Sequence, residues 1–315
     1  MSQPSDLTQT FDASLIDTQR SFSSTETNTS GSSAKENAAP PVPEQPRVPS
    51  PYRTVPTDIL YAQWASTYDT VGNVLQCADD IQLASLLAQF VEMTKQAQPS
   101  ETKQGSSLSI LDLGCGTGRN TVKLLQADWN RAVDVVGWDS SQAMLELAKS
   151  KCDATLHAQN RNVGIELQQL DIADIRNVGL HFDSFFDGLI STLVLEHIQI
   201  GTYFNVLAKV LKQGSYALVT NMHADMGSRS QAGYKTPSGE RFKAVSYVYT
   251  VDETAGAAEK AGFEVVEPIR EMVADERMID GGSICGVGIA KGHVDERARK
   301  WVGTKIWYGM LLKKL

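Results

Sequence analysis

The stretch Ile110-Leu-Asp-Leu-Gly-Cys-Gly-Thr-Gly118 decides the reading of this chain. A short apolar run, Leu108 to Leu113, ends in three glycines spaced GxGxG, and Val122 to Leu125 continue as a helix. Glycine permits the tight turn and lets a ligand approach the backbone. The helix start behind the loop presents free N–H groups and favours negative charge, such as a carboxylate. Asp112, at the strand end, is placed to face an ammonium group. The loop alone therefore calls for a ligand with both a carboxylate and an amine.

Outward from the loop, strand and helix alternate. Further strands are expected at Val133 to Trp138, Ile165 to Leu170, Gly188 to Leu195, Tyr216 to Asn221, Phe263 to Ile269 and Lys305 to Leu312. Helices are expected through Met144, Leu145 and Ala148, over Tyr203 to Leu211, and over Asp252 to Ala261, which stops at Gly262. Such alternation gives a mostly parallel sheet covered on both faces. Upstream, Val74 to Met93 reads as an amphipathic helix with Ala84, Leu87, Ala88 and Val91 on one face.

Two acidic strand ends extend the loop's signal. Asp139 closes the second strand, in Val136-Gly-Trp-Asp139, about 20 residues beyond the loop. There it can accept from both hydroxyls of a ribose. Asp171, in Gln169-Leu-Asp171-Ile172, closes the third and can accept from an adenine amino group while Ile172 packs on the ring. A nicotinamide-binding loop more usually reads GxGxxG. Here Arg119 stands where that last glycine belongs, which argues against a dehydrogenase. A carboxylate, an amine, a ribose and an adenine together describe S-adenosylmethionine (SAM).

At this point the chain resembles class I SAM-dependent methyltransferases, particularly the ubiquinone/menaquinone-methyltransferase-like group of small-molecule enzymes. The matching text is Tyr61-Ala-Gln-Trp-Ala-Ser-Thr-Tyr-Asp69, LDLGCGTGRNT, GWDSSQAMLELAK, LQQLDIADI, LISTLVLEHI and LAKVLKQGSYALV. The resemblance implies a Rossmann-like α/β fold with a seven-stranded sheet, its last strand antiparallel. It implies an N-terminal helical cover and an insertion after the fifth strand. Gly114, Cys115, Gly116 and Gly118 would cradle the methionine part of SAM. Asp139, with Ser140 beside it, would hold the ribose, and Met144 would lie near the adenine. Asp171 and Ile172 would bracket the base, Ser191 and Thr192 would line the sulfonium, and Tyr61, Trp64 and Tyr68 would cover the cofactor. The product would be S-adenosylhomocysteine (SAH). Lys212-Gln-Gly-Ser departs from the family's usual Lys-Pro-Gly-Gly at a surface turn.

Methyl transfer from a sulfonium needs a general base only when the acceptor holds its proton. His197 and His223 follow the fourth and fifth strands, on the edge where open α/β sheets bind ligands. Each is a candidate base. His197 can equally cap or pack at a helix start, and His223 can brace the next loop; Glu196 is a lesser candidate. The insertion 224–249 holds Tyr234, Phe242, Tyr247 and Tyr249, which form either an acceptor pocket or a small core of their own. Its basic residues Arg229, Lys235, Arg241 and Lys243 oppose only Glu240, so they either recruit a carboxylate-bearing acceptor or lie in a solvated loop. Acceptor specificity is expected in this insertion and in a second one, 275–300.

Composition bounds the rest. A net charge of −8 repels phosphate backbones, so nucleic acid is not expected as a substrate. No apolar run approaches the ~20 residues that cross a bilayer. Neither a secretory nor an import signal is evident, and a cytoplasmic address, with the nucleus as the other option, is expected. Cys77, Cys115, Cys152 and Cys285 are scattered, with no metal-ligand spacing, and read as reduced thiols. Residues 1–50, rich in Ser, Thr and Pro, are expected to be a disordered tail. Residues 51–106 would form the helical cover and linker, and 107–315 the SAM-binding domain. The expected partner is a small-molecule acceptor, transferred to by in-line displacement. A protein methyltransferase and a non-catalytic SAM-binding regulator are the alternatives, and the sequence leaves the oligomeric state open.

Overall fold

The computed structural model describes residues 16–17, 52–70, 72–97, 107–158, 162–173, 183–236, 240–279 and 296–315. Two short strands and two helices come first: β1 (Ile16–Asp17), β2 (Arg53–Thr54), α1 (Thr57–Trp64) and α2 (Val74–Ala97). The alternating part follows as β3 (Leu108–Leu113), α3 (Arg119–Gln126), β4 (Val133–Asp139), α4 (Gln142–Ala158), β5 (Val163–Gln169), β6 (Phe186–Thr192), α5 (Ile200–Val210) and β7 (Leu211–Met222). Then come α6 (Ala224–Gly227), the short strands β8 (Ser230–Gln231), β9 (Gly233–Lys235) and β10 (Arg241–Lys243), then α7 (Val251–Lys260), β11 (Phe263–Val273), α8 (Glu276–Ile279) and β12 (Lys305–Lys314).

The main sheet runs β11-β12-β7-β6-β3-β4-β5. Strands β3 to β7 pair in parallel, and β12 lies antiparallel to both β7 and β11. Successive residues of a strand face opposite sides, so each central strand feeds two cores. Ile110, Ile190 and Leu218 face Leu83, Leu86 and Phe90 of α2. Their neighbours Leu111, Leu189 and Val219 face Tyr203 and Phe204 of α5. Burial on both faces explains why these strands read as unbroken apolar runs. Helix α7 starts with a capping box between Thr250 and Glu253, and the chain turns at Gly262 with φ +88°.

Helix α2 corrects two expectations. Its buried stripe is Leu83, Leu86, Leu87, Phe90 and Val91, whereas Ala84 and Ala88 are exposed. The larger side chains remove more apolar area from water, so they win the sheet-facing side. The helix therefore belongs to the main body and not to a cover. A buried polar hub fixes it there. Asp79, fully buried, accepts from Trp307 Nε1 (2.9 Å), Thr220 Oγ1 (2.6 Å) and Arg119 Nη2 (2.6 Å). Arg119 also reaches Asp80, so the residue after the glycine loop is tied to α2 and, through Asp79, to the last strand.

The cover is smaller and built with the insertion. Strands β2, β10 and β9 form a three-stranded sheet. On it Leu60 and Trp64 of α1 pack with Ala232, Ala244, Tyr234 and Phe242. The stacked Tyr234 and Phe242 rings, 5.2 Å apart, thus belong to a small core of the insertion's own. Strand β1 pairs antiparallel with β8, so Ile16–Asp17 depart from the expected disordered tail; the other tail residues, and residues 280–295 of the second insertion, lie outside the described residues. Cys115 and Cys152 are free and buried, but Cys77 is disulfide-bonded, against the expectation of reduced thiols throughout. No helix among the described residues is long and apolar enough to cross a membrane.

Candidate active site

The carboxyl ends of β3, β4 and β6 open into a cavity of about 220 Å³, roofed by α1. The glycine loop forms its floor. Gly116 has φ +54°, and a Cβ added there meets nothing within 4 Å, because it would stand in the cavity. Gly118, φ +80°, does a different job: its added Cβ would lie 2.9 Å from the Ala148 backbone, so this glycine lets α4 pack closely.

Asp139 ends β4 at the cavity wall. Its Oδ2 accepts from Gly116 N–H (2.8 Å) and its Oδ1 from Ser141 N–H (2.8 Å). Burial raises its pKa above the ordinary value, and these two donations partly offset the rise. A carboxylate has about four acceptor sites, so two remain for a pair of vicinal hydroxyls. Ser140, Met144, Asp171, Ile172 and Thr192 line the same cavity, as does Gly114. Thr192 Oγ1 accepts from Asn120 Nδ2 (2.8 Å), which also reaches Asp79 (3.3 Å), so the buried hub braces the wall.

The roof supplies Tyr61 and Tyr68, edge to face at 5.7 Å. Tyr61 Oη lies 2.8 Å from His197 Nε2, joining roof to wall. Burial pushes the Tyr61 hydroxyl well above its ordinary pKa and that of Tyr68 to about 12. His197 belongs to a single 3₁₀ turn, Leu195–His197, after β6 ends at Thr192. Glu196 Oε1 is 3.3 Å from His197 Nε2, and its side chain is 6% exposed.

Six expected residues lie elsewhere. Trp64 packs into the cover's core. Asp112 turns toward α3 and accepts from Thr121 Oγ1 (2.6 Å), because its position on β3 points it into the helix layer. Burial lifts its pKa to about 7. Cys115 is buried, and a Cβ on Gly137 would lie 3.1 Å from its Sγ. Ser191 donates to Leu113 O across the sheet. Gly118 serves helix packing, as above. His223 is no base candidate in this geometry. It caps α6, its Nδ1 accepting from Asp225 N–H (3.1 Å), and its Nε2 meets Glu271 (2.9 Å).

The insertion likewise stays out of the cavity: among the described residues, none of 224–249 lines it. Tyr249 instead pins the next turn, bonded to Ile198 O and Ile200 N. Arg229 stacks on Trp301 and Arg241 on Tyr52. Sequence reasoning missed Pro56, Thr57 and Asp58 on the roof, and Leu193, Val194 and Ile198 on the wall. Leu193 holds φ +58°, a strained value for a non-glycine residue and one that gathers at functional sites.

A parallel sheet carrying a glycine loop, two strand-end carboxylates and an aromatic roof over one cavity defines a class I methyltransferase. The residues fit SAM: Gly116 leaves room where a side chain would intrude, and Asp139 keeps free acceptor sites. A model of the methyltransferase domain family matches residues 110–214. An uncharacterized methyltransferase of Emericella nidulans is 36% identical over 270 residues, covering 81% of this chain and 90% of that protein. This chain belongs to the methyltransferase family and is a SAM-dependent enzyme. Among solved structures it is similar to a geranyl diphosphate C-methyltransferase of Streptomyces coelicolor, at 11% identity, 74% and 80% coverage of the two chains, and TM-score 0.46. It is also similar to a SAM-dependent methyltransferase of Methanosarcina mazei, at 15% identity, 67% and 94% coverage, and TM-score 0.44.

Proposed function

We propose that the chain methylates a small-molecule acceptor held between the glycine loop and the Tyr61–His197 pair. The observation that carries this reading is the single cavity lined both by Gly116 and Asp139 and by the roof residues Tyr61 and Tyr68. The α1 roof over this cavity suits a small molecule better than a segment of a folded protein. The motif text supports a place near the ubiquinone/menaquinone-methyltransferase-like group.

Bound SAM supplies an electrophilic methyl group on a sulfonium. Gly114 and Gly116 hold its amino-acid part at the loop, Asp139 its ribose, and Asp171, Ile172 and Met144 its base. Tyr61 and Tyr68 close the roof and exclude water, which aligns the acceptor and protects the reactive pair. In this reading the functional cover is residues 52–70 together with 230–236 and 240–244. Helix α2 and the sheet form the catalytic body. Calorimetric titration with SAM, SAH and NADH tests the assignment. SAM and SAH should bind in the micromolar range and NADH should not; the reverse order would sink it.

A further inference from the structure

The cover's apolar core stands apart from the rest of the protein. Leu60 and Trp64 pack with Ala232 and Ala244, and among the described residues this cluster shares no member with the two cores that flank the main sheet. Packing within each unit survives when the two part, so the cover can open without unfolding. Side-chain hydrogen bonds then fix where the roof lies. At one end, Tyr61 Oη meets His197 Nε2 at 2.8 Å. At the other end of the same segment, Asp69 Oδ1 accepts from Thr117 Oγ1 (2.8 Å), and its Oδ2 accepts from Lys151 Nζ of α4.

Thr117 sits in the glycine loop between Gly116 and Gly118 and is buried. Gly116 N–H is bonded to Asp139, and Gly118 seats the loop on α4. The threonine hydroxyl has one proton to donate, and it goes to Asp69. Lys151 holds the other carboxylate oxygen, which fixes how the carboxylate is turned. The residue before Asp69, Tyr68, lines the cavity from the roof, whereas Asp69 itself does not line it. Any effect of Asp69 on a bound ligand therefore passes through the roof and the loop.

Building on the SAM site proposed above, we infer that Asp69 is a positioning residue: it latches the roof to the glycine loop and sets how long bound SAM is retained. A ligand under the roof leaves when the cover opens, as with other lids that gate an active site. That motion breaks the Asp69–Thr117 and Tyr61–His197 contacts and leaves the apolar cores intact. The latch forms only where Thr117 is in place, so closure depends on the shape of the loop that cradles the cofactor.

Two measurements test this. Release of methyl-labelled SAM, chased with excess unlabelled SAM, should be at least about tenfold faster from Asp69→Ala, a factor worth about 1.4 kcal/mol. Thr117→Val keeps the shape of its side chain and should accelerate release in the same way. The double variant should be little faster than Asp69→Ala alone, because both changes remove one interaction. Asp69→Asn keeps an acceptor for Thr117 and should fall between Asp69→Ala and wild type. In unliganded protein, hydrogen exchange at the amides of residues 57–70 should quicken in Asp69→Ala and Thr117→Val, while strand amides of residues 108–113 and 133–139 exchange as in wild type. Unchanged release, or acceleration that multiplies in the double variant, overturns the inference. So does exchange that rises equally in the sheet, the mark of general loosening. Wild-type protein that binds no SAM by calorimetry points instead to failure of the SAM site itself, and the exchange comparison still decides the latch.

Discussion

Gly116 donates its backbone N–H to Asp139 Oδ2 at 2.8 Å, clamping the loop after β3 to the end of β4. The two parts of the proposed cofactor site are therefore one unit. A side chain at Gly116 meets no protein atom and enters the cavity. Gly116→Val should thus remain folded, with a loss of about 1–2 kcal/mol from its positive φ, yet lose SAM binding by more than about 100-fold. Calorimetry on a variant with a native circular dichroism spectrum is the measurement. Retained micromolar affinity would remove the glycine loop from the site. At Gly118 the expectation is opposite: Gly118→Ala should lower the melting temperature first, because its Cβ meets the Ala148 backbone.

Asp139→Ala should weaken SAM by about 1.5–3 kcal/mol, the scale of lost charge-assisted hydrogen bonds. It also frees the N–H groups of Gly116 and Ser141. Asp139→Asn, which keeps one acceptor oxygen, should lose less. A difference from wild type below a few tenths of a kcal/mol for both variants would place the ribose elsewhere.

The site's elements were legible in the sequence where local chemistry decides. The GxGxG loop, Asp139 and Asp171 announce themselves because a turn and a strand end are set by neighbouring residues. Trp64, Asp112 and Ser191 were misread because only the packed structure decides which face of an element meets the cavity. Asp112 and Leu113 alternate across β3, and nothing local says which layer each enters. The cover was harder still. Leu60 meets Ala232 and Ala244 across some 170 residues of chain, and no periodicity within α1 reports that contact. Of the two readings open for the insertion's aromatic residues, a pocket or a small core of its own, Tyr234 and Phe242 take the second and pack against the helix that carries Tyr61.

Asp112 gives a pH prediction for the protein without ligand. Burial raises its folded pKa from 3.8 to about 7. A carboxyl with a raised folded pKa binds its proton more tightly when folded, so stability falls as pH rises from about 4 through about 7. Above that range the buried charge imposes its full cost. Asp112→Asn keeps an acceptor for Thr121 and carries no charge. Its melting temperature relative to wild type should rise as pH goes from 5 to 8. A constant difference across that range would show that Asp112 does not titrate there.

Asp79 anchors Arg119, Thr220 and Trp307 at one buried point. Removing one partner of a buried ion pair costs about 3–5 kcal/mol, because the other charge is left uncompensated. Asp79→Ala should lose stability on that scale in urea denaturation, and its SAM affinity should fall as well, since Asn120 and Thr192 lose their brace. A loss under about 1 kcal/mol would show that water replaces the hub without cost.

His197 separates two ways of catalysing the transfer. A general base contributes about 10²–10⁴ to turnover, and its loss appears in kcat. A hydrogen-bond partner that holds the roof contributes through positioning, and its loss appears mainly in KM of the acceptor. The geometry favours the second role: Nε2 faces Tyr61 Oη and Glu196 Oε1, and Nδ1 is buried without a hydrogen-bond partner among the described residues. His197→Ala should therefore raise the KM for the acceptor severalfold while kcat falls by less than about tenfold. Tyr61→Phe, which deletes the other end of the same hydrogen bond, should reproduce that pattern. The double variant should add little beyond either single one, because both changes remove one interaction. A fall in kcat beyond about 100-fold for His197→Ala alone, with Tyr61→Phe unaffected, would identify His197 as the base.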